Sequence, residues 1–286
     1  MKIIDGKKIA EKIKDDIAKN VFDLVQKERR RPSLAIILAG EREDSKIYVN
    51  LKEKSAKEVG VDTSLYLIEE DDGEDNIINT IKFLNQDTMI DGILVQLPLP
   101  KKFNTDKILK MINPEKDVDG FCKSKNKFLL SPVILATEYS LKNCKVNLKN
   151  KKSFLFCNSE IFKNEMKEFF LSKGLEFDFI KSDELEKVLG GNNEQRKQDL
   201  YKRVRSNDIL ITAMGKPEII DKNFLKDDMI LIDVGITKVG DKVLGDIKRS
   251  DTEKLAGYLT PVPGGIGPVT VACLLKNVLQ AYLPRG

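Results

Sequence analysis

Short runs of uninterrupted apolar residues, spaced by longer polar-faced stretches, constrain this chain more than any other feature. Ser33–Ala39 reads SLAIILA, residues 90–97 IDGILVQL, 154–157 FLFC, 208–213 DILITA and 229–234 MILIDV. A strand that is apolar on both faces must be covered on both faces, which favours parallel sheets flanked by helices. The intervening segments have the matching pattern. Ile9, Ile13, Ile17, Val21 and Leu24 recur at helical spacing, and residues 44–59, 76–84 and 161–171 read as further helices. Asp44 is the expected cap of the second helix and Gly60 its stop. Residues 65–68 and 175–180 add two strands. The expected fold class is α/β, with an N-terminal α/β domain and a C-terminal Rossmann-like parallel-sheet domain.

At 286 residues the chain is long enough for two domains. The boundary is expected in the Lys- and Asn-rich stretch 143–152, and a last helix from Pro268 to about Tyr282 is expected to return to the first domain. This divides the chain into 1–143 plus 268–286, and 144–267. Residues 190–198 are polar and read as a surface insertion or helix break.

Composition removes several function classes. There is no histidine, so histidine triads and histidine–metal sites are excluded, and proton chemistry falls to Lys, Tyr, Asp, Glu or Cys. The formal charge of +4 comes from basic residues dispersed among acids, which is no nucleic-acid footprint. Cys122, Cys144, Cys157 and Cys273 lack paired spacing, so neither a disulfide framework nor a metal site is expected. No apolar stretch approaches membrane-spanning length, and the N-terminus lacks the apolar core of a signal peptide, so a cytoplasmic protein is expected.

Residues 260–270, TPVPGGIGPVT, form a pre-shaped loop with little side-chain bulk, suited either to crossing between domains or to laying main-chain amides against a flat ligand. Tyr48 and Lys52 stand four apart and share a helix face, flanking an apolar stripe expected from Ile47, Leu51 and Val59. Taken alone, that pair is an ordinary helix edge. Gln96 ends a buried strand, where α/β sheets place ligands, although a glutamine satisfied by loop backbone fits equally. Asp117-Val-Asp119-Gly120 is an acidic turn, either a simple Asx turn or a carboxylate placed for an amidine-like edge. Met214-Gly215 and Ile232-Asp233-Val-Gly-Ile236 close two strands with glycines, as strand ends or cofactor-facing turns.

In one order, SKIYVNLK (45–52), DGILVQLPLP (91–100), PEKDVDGF (114–121), IDVGI (232–236) and TPVPGGIGPVT (260–270) resemble the bifunctional methylenetetrahydrofolate dehydrogenase/methenyltetrahydrofolate cyclohydrolase family over nearly the whole chain. The resemblance implies a folate site in a cleft between two α/β domains. Lys52 would be the catalytic lysine, with Tyr48 packed against the folate, Gln96 bonded to Lys52 and Asp119 on the pterin's amino–imino edge. Val49, Asn50 and Leu51 on the helix, with Val95 and Leu97 beside Gln96, would border the substrate. Pro263, Gly264, Gly265, Ile266, Gly267 and Pro268, continued by Val269, Thr270 and Val271, would wall the site with backbone. The resemblance also implies tetrahydrofolate derivatives as substrates, NADP as the usual cofactor and a homodimer.

The cofactor half departs from the family pattern. Where the family reads roughly Gly-Arg/Ala-Ser-x-x-Val-Gly-x-Pro, this chain has Cys157-Asn158-Ser159-Glu160-Ile161-Phe162-Lys163-Asn164-Glu165. A β-carbon at Cys157 would stand where backbone approaches pyrophosphate, Glu160 and Glu165 would add negative charge, and Asn158 supplies no cation for a 2′-phosphate. Ser182 matches a family serine at the adenosine end, with Lys181 where histidine is common. Gly215 and Ile236 complete the expected cofactor contacts. The expectation is therefore dehydrogenase and cyclohydrolase chemistry with NADP binding altered, weakened or lost. The alternatives are NAD or no dinucleotide with cyclohydrolase activity alone, or a non-catalytic folate-binding protein.

Overall fold

The computed structural model describes residues 1–121 and 129–283. The chain forms two compact units, Ala10–Leu135 with Thr270–Gly286, and Met1–Ile9 with Ala136–Val269. Cys122 lies outside the described residues; Cys144, Cys157 and Cys273 are buried, and no disulfide joins them among the described residues.

The unit Ala10–Leu135 with Thr270–Gly286 is built on three parallel strands in the order Asp62–Ile68, Ser33–Ala39, Gly92–Val95. The central strand is buried along its length beyond Ser33, as its unbroken apolar run requires. Helix Glu74–Gln86 buries Ile77, Ile78, Ile81 and Leu84 against a core that includes Ile37, Ile93 and Val95. Pairing continues one residue past the third strand, where Gln96 N donates to Ile37 O at 2.9 Å.

Helix Glu43–Val59 begins one residue before Asp44, with Arg42 at the cap position, and ends at Gly60 with φ of 78°. Asp44 therefore sits inside the first turn. The expected stripe on this helix is also corrected. Ile47 and Leu51 are exposed at 54% and 49%, while Ser45, Val49, Ala56 and Val59 are buried. The buried positions 45, 49, 56 and 59 form a heptad-like stripe whose missing member is 52, so Lys52 occupies a core-facing position.

The second unit carries six parallel strands in the order Lys2–Ile3, Gly257–Leu259, Met229–Asp233, Ile209–Ala213, Lys152–Cys157, Glu176–Lys181. Residues 1–9 belong here because Lys2–Ile3 pairs with Gly257–Leu259 at the sheet edge. The chain leaves Lys152–Cys157 in one direction and returns on its other side as Ile209–Ala213, which creates a topological switch point between them. Phe154, Phe156 and Phe224 are fully buried, and Tyr201 meets the Phe224 ring edge-on at 4.8 Å. Within the polar stretch 190–198, residues 190–193 break helix Ser182–Leu189 from helix Glu194–Arg205, with Asn193 capping the second, and 194–198 form the start of that helix. The last helix is Ile266–Tyr282, so Pro268 lies in its first turn, where its missing N–H costs nothing.

Candidate active site

Lys52 is the centre of the first site. Its Nζ donates to Gln96 Oε1 at 2.8 Å, joining the helix to the strand end. The amide orientation follows from its other contact, since Gln96 Nε2 donates to Leu97 O at 2.6 Å and leaves Oε1 to face the lysine. Gln96 is buried and Lys52 half-buried. Burial pushes the Lys52 amine below the usual lysine range, against a smaller upward pull from the Asp119 carboxylate. Tyr48, one turn earlier, is 36% exposed, so the pair expected from the sequence presents a phenol at the surface beside a desolvated amine.

Asp119 is held by its own loop. Gly120 N donates to Asp117 Oδ1 at 2.9 Å, the Asx-type turn, and Ile93 N donates to Lys116 O at 2.8 Å. Asp117 makes the turn, and Asp119 is half-buried with its carboxylate close enough to Lys52 to act on the amine. Asn277, which sequence reasoning missed, donates from Nδ2 to Val118 O and Leu130 O, both at 2.9 Å, and ties this loop to the last helix. A lone asparagine in an apolar helix at zero exposure was the available signal.

Among the other expected substrate contacts, Val49, Val95, Ile266 and Val269 are buried. Asn50 and Leu51 are exposed, Leu97 packs partly on the core, and Pro263 is exposed. Gly264 has φ of 99°, and a β-carbon on Gly265 would collide with the Pro261 carbonyl, which accounts for the paired glycines. Thr270 and Val271 are half-buried within the helix.

The dinucleotide end reads differently from its sequence. Cys157 is buried, its thiol is pushed up to about 11 by burial, and its Sγ lies 3.8 Å from Ser159 O. Asn158 Nδ2 donates to Met214 O at 2.7 Å and bridges the ends of two strands. Ser159 caps helix Glu160–Ser172, its Oγ accepting from Phe162 N at 3.3 Å.

Glu160 does not stand as a bare negative charge. It pairs with Lys163 at 2.5 Å and also with Lys181, and the two ammonium groups hold its carboxyl down at about 2. Parallel register places Lys181 beside Cys157, so two cations accompany one carboxylate at this strand edge. Ser182, first residue of the next helix, is buried with a hydroxyl that has no hydrogen-bond partner among the described residues. Gly215 has φ of 65° with open space around it, and Ile236 is 41% exposed. A strand–turn–helix with a serine cap, two cations and an unspent hydroxyl fits a phosphate-bearing dinucleotide.

Comparison with known proteins finds matches to both halves of the chain. Residues 4–119 match the tetrahydrofolate dehydrogenase/cyclohydrolase catalytic-domain family, and residues 136–285 match the NAD(P)-binding domain of that enzyme. The bifunctional protein FolD of Pelagibacter ubique is 35% identical, with 99% of this chain and 98% of that one covered. The bifunctional FolD structure from Campylobacter jejuni superposes with a TM-score of 0.88 at 30% identity, covering 98% of each chain. The Trypanosoma brucei enzyme, solved with NADP cofactor and inhibitor, gives a TM-score of 0.88 at 28% identity, covering 98% of this chain and 96% of that one.

Proposed function

The chain belongs to the tetrahydrofolate dehydrogenase/cyclohydrolase family, and from that premise we propose that Lys52 is the amine through which its hydrolytic step moves protons, with Tyr48 and Asp119 seating the folate. The enzyme oxidises 5,10-methylenetetrahydrofolate to 5,10-methenyltetrahydrofolate and hydrolyses the product to 10-formyltetrahydrofolate. Full-length similarity to bifunctional relatives does not favour the cyclohydrolase-only or non-catalytic alternatives.

One observation carries the role of Lys52: an amine on the core-facing stripe of a helix, desolvated, with its geometry set by a buried amide acceptor. Oxidation of the methylene bridge leaves a resonance-stabilised amidinium cation, so that step depends on alignment and not on a strong base. When bound, the dinucleotide supplies the hydride acceptor. Hydrolysis adds water to the amidinium carbon. Lys52 Nζ, its proton affinity lowered by burial, takes one proton from that water and returns it to the ring nitrogen as the C–N bond opens, while the second water proton leaves to solvent as the formyl C=O forms. A cationic substrate beside the amine drives its proton affinity down further.

NADP is the dinucleotide this reading favours. Lys163 and Lys181 stand at the strand edge where a 2′-phosphate needs cations and where Asn158 offers none. In the same reading the enzyme is cytoplasmic and a homodimer; no helix among the described residues is long and apolar enough to cross a membrane. Light scattering on the purified chain tests the dimer.

The pH profile of methenyltetrahydrofolate hydrolysis tests Lys52. The rate constant kcat/KM should rise through a single ionisation below the ordinary lysine value, and Lys52→Arg should lose that limb. A wild-type profile that falls or stays flat over the same range refutes the base role.

A further inference from the structure

Asp233 and Asp246 are buried carboxylates outside the folate chemistry, at 3% and 0% exposure. They lie at the carboxyl ends of the strands Ile209–Ala213 and Met229–Asp233, beside the turns that carry Gly215 and Ile236. Asp233 Oδ1 accepts from Thr212 Oγ1 at 3.0 Å, Gly235 N at 3.0 Å and Asp246 N at 3.1 Å, and its Oδ2 accepts from Ile247 N at 2.9 Å. Asp246 Oδ1 accepts from Lys216 N and its Oδ2 from Met214 N, both at 2.7 Å. Two side chains therefore take most of the free main-chain donors of three turns, 214–216, 233–235 and 245–247.

Glycine makes the interlock possible. A β-carbon on Gly235 would fall on the Asp246 carboxyl, and one on Gly245 would fall on the Asp233 carboxyl. The Pro/Gly loop hangs from the same strand end through the Thr260 hydroxyl, which accepts from Asp233 N at 2.7 Å, a bond that substitution of the Asp233 side chain leaves in place.

We propose that Asp233 and Asp246 are positioning residues that staple the turns bearing Gly215 and Ile236 into the register a bound dinucleotide requires, so that oxidation depends on the pair while hydrolysis does not. The inference rests on the dinucleotide reading of this unit. A group that merely held the fold together would lower both activities of the enzyme together. A group that shapes the dinucleotide turns separates them, because hydrolysis proceeds on Lys52 chemistry with no redox partner.

The test uses the full-length enzyme with Asp246→Asn and, as the milder change, Thr212→Val, which removes one hydroxyl donor to Asp233 and leaves both carboxylates. NADPH binding is read by its fluorescence, and oxidation and hydrolysis are assayed on the same preparation. Asp246→Asn should raise the NADPH Kd about tenfold or more and cut oxidation in step, with hydrolysis within about threefold of wild type. Thr212→Val should shift Kd about threefold in the same direction. If Asp246→Asn does not fold, Thr212→Val decides. An unchanged Kd, or hydrolysis falling in parallel with oxidation, overturns the inference and leaves the enzyme reading intact. A wild-type enzyme that binds neither NADPH nor NADH overturns both.

Discussion

Asp233 makes an unusual prediction about stability and pH. Its folded-state carboxyl is pushed up to about 7, first by burial and then by the neighbouring Asp246 carboxylate, with the donors from Ile247, Asp246 and Thr212 pulling against them. A group whose affinity for its proton is raised by folding stabilises the fold fully below its unfolded value of 3.8, and that contribution is lost as pH rises through about 7. The full swing is about 4 kcal/mol, of which about 2 kcal/mol falls between pH 5.5 and pH 8. Asp246 is also raised, chiefly by burial, and acts in the same sense. The chain has no histidine to obscure this window. Lys52 works in the opposite direction, since its lowered amine is disfavoured as a cation in the fold. Comparing wild type with Asp233→Asn removes that term. Thermal unfolding at pH 5.5 and pH 8 should show wild type gaining roughly 5 °C more than the variant on acidification. Equal pH slopes in the two proteins, or a steeper loss of wild-type stability towards pH 5.5, would refute the reasoning.

Three further outcomes are expected. Lys52→Met should lower methenyltetrahydrofolate hydrolysis by about 100-fold or more while leaving the melting temperature unchanged or raised, because an apolar side chain suits the stripe of Val49, Ala56 and Val59; assay and calorimetry check the two halves. Gln96→Glu should move the rising limb of the hydrolysis profile upward by about one pH unit, since a carboxylate 2.8 Å from Nζ favours the ammonium form. Glu160→Gln should free Lys163 and Lys181 and tighten NADP a few-fold over NAD, whereas Lys181→Met should reverse the preference; calorimetric titration with both dinucleotides separates the cases.

The strands were legible because their signal is local. Strand Ser33–Ala39 is unbroken apolar from Leu34 onward, and it is the central strand of its sheet. Lys2–Ile3 and Gly257–Leu259 were not, because two or three residues carry no periodicity. The stripe on helix Glu43–Val59 was misread for an instructive reason. Function has put a lysine at a core-facing position and left Ile47 and Leu51 at the surface, so a count of apolar residues points to the wrong face. The charge around Glu160 was misjudged for another reason. Its second partner, Lys181, is brought alongside only by the parallel register Cys157↔Lys181. Asp233 and Asp246 stand thirteen apart in the chain, and only the folded turns join them through the Asp246 N–H.

The order in which the chain is made has a bearing on when it can work. Asn277 reaches back to Val118 O and Leu130 O, and the unit that holds Lys52 includes residues from 270 onward. During synthesis that half must wait, with its acidic turn unanchored, until the helix that carries Asn277 has been made. The other half waits in the reverse sense, since its edge strand Lys2–Ile3 is made long before Gly257–Leu259, the strand it pairs with. A polypeptide terminated after residue 269 therefore retains every catalytic side chain named above and still lacks the brace that sets Asp119 in place.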